Sequence, residues 1–106
     1  MKPGFPDDLA VCVGFEWDAG NADKNWNLHQ ATQIECEQPF FNRPVIVTRA
    51  ERHSGEELRC AALGRTNAER LLAIIFTVRN DLVRVISARD MSRRERRIYE
   101  DARQGG

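Results

Sequence analysis

The stretch LLAIIFTV (71–78) limits the fold more than any other part of the chain. Eight residues pass without a charge, and in an extended conformation both faces are apolar. Such a strand must be covered on both sides, which places it in the middle of a sheet. Asn80-Asp81 follows, a pair that suits a tight two-residue hairpin turn. LVRVISA (82–88) then resumes with β-branched alternation and should return beside the first strand.

Upstream, VIVTRAE (45–51) and LRCAALG (58–64) also read as strands, split by the polar turn RHSGEE (52–57). RTNAER (65–70) turns into the apolar stretch. Short connections let consecutive strands pair as neighbours, which predicts a four-stranded antiparallel meander. Before it, LAVCVGFEW (9–17) is a candidate first strand, and 1–14 an N-terminal extension and candidate edge strand. A helix over 18–30 would be capped by Asp18. Thr32 with Glu35 forms a capping-box pattern, so a second short helix should start near 33 and end before Pro39. FFNRP (40–44) is a connector. Ser92 with Glu95 repeats the capping box and opens a C-terminal helix, with 104–106 as a frayed tail. The class is α+β: N-terminal helices, a four-stranded antiparallel meander and a C-terminal helix, in one domain over 15–103.

No apolar run approaches the roughly 20 residues that span a bilayer. The N-terminal MKPGFPDDLAVCVG makes a poor signal peptide. Cys12, Cys36 and Cys60 are odd in number and widely spaced, with no CxxC or Cys/His pairing. They point to buried, reduced thiols in a cytoplasmic protein that holds neither metal nor cofactor. Net charge is zero but uneven: residues 1–64 hold 6 Lys and Arg against 10 Asp and Glu, residues 65–106 hold 10 against 6. All ten later cations are arginine, whose planar fork of donors matches phosphate where lysine offers a point charge.

Arg65 and Arg89 each follow a strand directly, and those two strands run the same way on either side of 71–78. Their ends lie on one edge about 10 Å apart, so the guanidiniums can converge on one anion or bond separately to turn carbonyls. Glu56 and Glu57 start the strand at the end opposite Arg65. His29 closes the first helix, and His53 sits in a polar turn. In the terminal helix Met91, Glu95, Ile98 and Ala102 form a narrow stripe for docking on the sheet, flanked by Tyr99. Arg93, Arg94, Arg96 and Arg97 spread over the remaining faces. Tyr99 either stacks a base and holds a phosphate or anchors the helix at the sheet edge.

FEWD (15–18), Asn25 and His29, FFNRP, GEELR (55–59), LGRTNAERLL (63–72) and VRVISARDMSRRERRIYE (83–100) stand in an order that resembles the BrnT family of ribonuclease toxins. The resemblance covers about residues 15–100, and its last motif is the most specific. It implies a RelE-like fold and metal-independent, sequence-tolerant cleavage of RNA. It also implies neutralisation by a BrnA-type ribbon-helix-helix antitoxin, with a heterotetramer expected and promoter DNA bound only through that partner. The family's functional positions fall on Glu57 or Glu56, Arg65, Arg89 and Tyr99, with His29 and Trp17 at motif positions. Trp17, Lys24, Arg93, Arg96 and Arg97 are the candidate RNA contacts. Asn21 and Leu28 stand where the family usually carries lysine, so two cations near the groove are missing. That departure keeps open an attenuated homologue that binds RNA or antitoxin without cutting.

Metal-free RNA cleavage requires a base for the 2′-hydroxyl, an acid for the 5′-oxygen and cations for the phosphorane. Arg65 and Arg89 fit the phosphate clamp, Glu57 or His29 the base, and Tyr99 substrate orientation or proton transfer. A DNA-binding regulator fits less well, because the basic helix is single and terminal.

Overall fold

The computed structural model describes residues 14–17, 30–49 and 59–105. Five strands form one sheet: β1 (Gly14–Glu16), β2 (Ile46–Arg49), β3 (Arg59–Arg65), β4 (Leu71–Arg79) and β5 (Leu82–Asp90). The helices are α1 (Gln33–Glu37), continued by a 3-10 turn (Gln38–Phe40), and α2 (Arg93–Gly105).

The strand order is β1-β5-β4-β3-β2. The antiparallel meander from β2 to β5 is present, but the sheet has five strands and is mixed. β1 lies parallel to β5, with Phe15 opposite Val83. That corrects the expectation of a purely antiparallel four-stranded sheet. A meander leaves β5 with an unpaired edge, and an open ladder is a liability that the short β1 covers. Of the expected N-terminal helices, α1 is present, and the one over 18–30 lies outside the described residues apart from Gln30.

Local signals account for the boundaries. The Thr32 hydroxyl accepts from the Glu35 amide at 3.1 Å and the Glu35 carboxylate from the Thr32 amide at 3.0 Å. Ser92 and Glu95 do the same for α2 at 3.2 and 2.8 Å. Asn80 and Asp81 have φ of 53° and 62°, the left-handed pair that a two-residue hairpin needs, and Arg79 pairs with Leu82 across them.

One sheet face carries the main core. Leu72, Ile74, Phe76, Val83, Val85, Ala88, Cys60 and Ala62 pack against Ala31 and Cys36 of the α1 layer. The two described cysteines, Cys36 and Cys60, are buried, and burial with the neighbouring Glu35 charge pushes the Cys36 thiol up to about 11. Gly64 lets the 3-10 turn approach: a Cβ there would stand 2.7 Å from the Pro39 Cβ. On the opposite face a smaller cluster joins Ala73, Met91 and Tyr99, with Ile46, Leu63 and Leu71 around it.

α2 docks in a rotated sense from the stripe its sequence suggested. Tyr99 is fully buried and Ile98 is 45% exposed. The tyrosine ring brings the larger apolar area, and its hydroxyl finds an acceptor, so it takes the inner position four residues after Glu95.

β5 contains one irregularity with consequences for function. Ile75 pairs with Ser87 but Phe76 with Val85, so Ile86 is an extra residue in the strand. Burial follows: Val83, Val85 and then Ala88 are buried. A regular strand would send Arg89 to the same face as Val83 and Val85. The bulge reverses the alternation beyond it and turns Arg89 to the α2 face.

Candidate functional site: an arginine-rich sheet end

Arg65 pairs with Leu71 and Leu63 with Ala73, while Ala73 pairs with Arg89. Arg65 and Arg89 therefore stand on one face at one end of the sheet, with β4 between them. Two ladder spacings separate the strands, about 10 Å. In this structure the guanidiniums do not converge; each is engaged in its own cluster.

The Arg65 side chain is about three-quarters buried. Its Nε and Nη2 donate to the Arg43 carbonyl at 3.2 and 3.0 Å. Its Nη1 meets the Glu69 carboxylate at 2.7 Å. The other Glu69 oxygen accepts from Arg103 Nη2 at 2.6 Å. Contact with Arg103, then with Arg65, lowers the Glu69 carboxyl below the usual range. The Asn42 amide ties the connector to this strand end by donating to the Arg65 carbonyl and to Asn67 Oδ1, both at 2.9 Å.

Arg89 makes a fork-to-fork pair with Glu95 at 2.7 and 2.9 Å and also donates to the Asp90 carbonyl at 3.1 Å. The Arg89 guanidinium, with the Ser92 amide, holds the Glu95 carboxyl down to about 2. A third cluster forms around Arg70, which donates to Asp90 at 2.8 Å, to the Gln30 carbonyl at 2.9 Å and to Glu35 at 3.3 Å. It pins α1 to the end of β5.

Tyr99 lies beneath α2 with its hydroxyl donating to the Pro44 carbonyl at 2.7 Å. Burial pushes its pKa up, against the lowering effect of nearby Arg65 and Arg103. Its ring is enclosed, so in this structure it offers no face to a base. Trp17 is half-buried, and its Nε1 donates to Glu37 at 2.7 Å. A run of edge-to-face rings leads from buried Phe76 through Phe40 and Phe15 to Phe41, which is 75% exposed. Arg93, Arg94, Arg96 and Arg97 are exposed and make no side-chain bond or ion pair with another described residue. Glu57, Glu56, His29, His53 and Lys24 lie outside the described residues. Among the described residues no three His, Cys, Asp or Glu side chains gather as a metal-ligand set.

Glu69 and Arg103 were not singled out in the sequence. One signal was available for the arginine: it falls four residues after Tyr99, on the same side of α2. Nothing local marked the glutamate.

The class these features define is a small α+β domain with a cationic sheet end flanked by an arginine-studded helix. Residues 17–95 match the family model described as ribonuclease toxin, BrnT, of type II toxin-antitoxin system, and the chain belongs to that family. No curated protein matches the chain. Membership makes it a ribonuclease toxin of a type II system, with RNA as substrate and an antitoxin as partner. No helix among the described residues is long and apolar enough to cross a membrane.

Proposed function

We propose that the chain is a metal-independent endoribonuclease whose cleavage of RNA inhibits growth in the cytoplasm. A BrnA-type ribbon-helix-helix antitoxin neutralises it in a heterotetramer, and promoter DNA is bound only through that partner. One observation carries this reading: Arg65 and Arg89 share a face and an end of the sheet, beside a helix whose four exposed arginines have no acid partner among the described residues.

In the reaction a base takes the proton of the 2′-hydroxyl, and the 2′-oxygen attacks the adjacent phosphorus. The bond to the 5′-oxygen breaks and that oxygen gains a proton, leaving a 2′,3′-cyclic phosphate. Glu57 or His29 is the base. Arg65 and Arg89 hold the phosphate oxygens as charge accumulates, a role worth roughly 10²–10³ in rate for each donor. Proton transfer by a positioned group adds roughly 10²–10⁴. Tyr99 acts as a positioning residue: it fixes Pro44, and the carbonyl of the preceding Arg43 orients Arg65. Arg93, Arg96 and Arg97, with Trp17 and Lys24, extend the surface along the RNA backbone.

A second reading has its own support. Both clamp arginines already hold carboxylates, Glu69 and Glu95, as an attenuated homologue that only binds RNA or antitoxin would.

The test is cleavage of end-labelled single-stranded RNA in EDTA by the parent chain and by Arg65→Ala and Arg89→Ala. The expected result is cleavage by the parent to a 2′,3′-cyclic or 3′-phosphate end, with both variants folded and inactive. Full activity in Arg89→Ala overturns the clamp. Activity only after added divalent metal overturns the metal-independent mechanism, and a folded, inactive parent that still binds RNA selects the attenuated reading.

A further inference from the structure

Glu35, Glu69 and Glu95 each contact an arginine near the sheet end, and they differ in what else they do. Glu95 also caps α2 through the Ser92 amide. Glu35 caps α1 through the Thr32 amide as well as meeting Arg70. Glu69 has no second duty. One of its carboxylate oxygens goes to Arg65 and the other to Arg103, and no other described residue bonds to either. Its side chain is 50% exposed, so solvent reaches the carboxylate from outside.

The backbone beneath it is held. Thr66, almost wholly buried, accepts the Glu69 amide on its carbonyl at 3.0 Å and the Arg70 amide on its hydroxyl at 3.0 Å, and donates its own amide to the Arg70 carbonyl at 2.9 Å. Within that loop Glu69 has φ of 70°, the left-handed region that glycine favours and that costs other residues conformational energy. That φ is what the last residue of a three-residue hairpin loop adopts, and from it the Glu69 carboxylate reaches both guanidiniums.

We propose that Arg65 and Arg103 form an RNA phosphate site, that Glu69 occupies it as a built-in anion, and that substrate enters by displacing the carboxylate. The proposal rests on the ribonuclease reading and adds a third cation, Arg103, and a gate to it. A carboxylate bridging two guanidiniums, one oxygen to each, stands in for a phosphodiester with its two non-bridging oxygens divided the same way. Arg65 stays oriented by the Arg43 carbonyl whichever anion is present. Exposed ion pairs are weak and screened by salt, so a polyanion that brings further contacts to Arg93, Arg96 and Arg97 can replace Glu69. The gate then favours a strand of phosphates over a single small anion.

The probe is a 2′-O-methyl oligonucleotide, which binds but has no free 2′-hydroxyl to react. Binding to the full chain is measured against salt for the parent, Arg65→Ala, Glu69→Gln, Arg103→Ala and the Glu69→Gln/Arg103→Ala double variant, with RNA cleavage read alongside. Glu69→Gln is expected to bind the probe roughly three- to tenfold more tightly. Its salt slope should steepen by about 0.7, one more phosphate contact on a single strand. Arg103→Ala in the Glu69→Gln background should remove the gain. Glu69→Gly, which suits the φ, should reproduce the gain if the glutamine variant folds poorly. Unchanged or weaker binding in both Glu69 variants, or a gain that survives loss of Arg103, overturns the gate. That failure is separable from failure of the ribonuclease reading. If only the gate is wrong, the parent still cuts RNA and still needs Arg65; if the reading itself is wrong, no variant cuts and Arg65→Ala binds the probe as the parent does.

Discussion

Arg65 and Tyr99 are held by adjacent carbonyls. The Arg65 guanidinium donates twice to the carbonyl of Arg43, and the Tyr99 hydroxyl donates once to that of Pro44. The connector between the 3-10 turn and β2 thus fixes the helix on one side and the candidate phosphate-binding arginine on the other. Tyr99→Phe leaves the Pro44 carbonyl without its donor. Loss of one buried hydrogen bond costs about 1 kcal/mol, which for a domain of this size lowers Tm by roughly 4–8 °C. If Tyr99 acts through the connector, RNA cleavage should fall by more than the stability loss explains, with the pH profile unchanged in shape. A shifted basic limb would instead show the phenol itself transferring a proton.

The ion pair of Glu95 with Arg89 makes stability depend on acid. Glu95 has its carboxyl lowered from an ordinary 4.5 to about 2 by Arg89 first and the Ser92 amide second. A carboxyl lowered in the folded state contributes stability that is complete above its unfolded value and lost as pH falls through its folded value. The contribution is therefore present above about pH 5 and gone near pH 2. Because the Arg89 side chain is half-exposed, solvent screening cuts it to about 1–2 kcal/mol. Glu95→Gln keeps a capping side chain but loses the charge. It should be less stable than the parent at pH 7 by that amount and match it near pH 2, as read by urea melts across the range. An equal gap at both ends would assign the loss to packing.

Gly64 is set by close approach. An added Cβ would meet the Pro39 Cβ at 2.7 Å and the Pro39 carbonyl at 3.1 Å, and a proline in a short turn has little freedom to yield. Gly64→Ala should cost about 1–3 kcal/mol as an overpacked core site does. The displaced turn also carries Gln38, whose Oε1 accepts from the Asn67 amide at 3.0 Å. Amide exchange at Asn67 and Glu69 should accelerate with the loss of stability. A variant as stable as the parent would mean that the turn shifts freely.

Much of this molecule was legible because its signals are local. Thr32 with Glu35, Ser92 with Glu95 and Asn80-Asp81 each act within a few residues, and each is where the pattern placed it. The central strand was legible because eight uncharged residues leave little choice of environment. What the pattern missed depends on distant partners. β1 pairs with a strand some 68 positions away. Tyr99 turns inward in place of Ile98 because Pro44 supplies an acceptor. The Arg65–Glu69–Arg103 contact joins a loop to the last turns of a helix. At the candidate site the ends of β3 and β5 were foreseen, whereas the partners that hold their arginines were not, since a guanidinium takes whichever carboxylate the fold brings.

The bulge in β5 gives the most direct check on how the site is built. LVRVISARD alternates cleanly through Val83 and Val85, and continuing that alternation would bury Ser87 and Arg89. Instead Ile86 is extra, Ala88 pairs with Ile74 and Arg89 with Ala73. Deleting Ile86 leaves Val83, Val85 and Ala88 alternating without a bulge. The core face is then the same, and Arg89 stays on the α2 face. The deletion should fold, at a cost of about 1–3 kcal/mol for the lost half-buried side chain and local twist, and keep measurable RNA cleavage. Deleting Val85 is a second route to the same strand, because Ile86 then takes the place opposite Phe76 and the bulge is again absorbed. It adds one methylene to the core at that position, so it should fold and cut much as the Ile86 deletion does. If the Ile86 deletion folds well but is inactive, face alone does not suffice, and the bulge sets the angle at which Arg89 meets the phosphate. If both deletions fold and cut as the parent does, Arg89 needs its place on the α2 face but not the bulge itself.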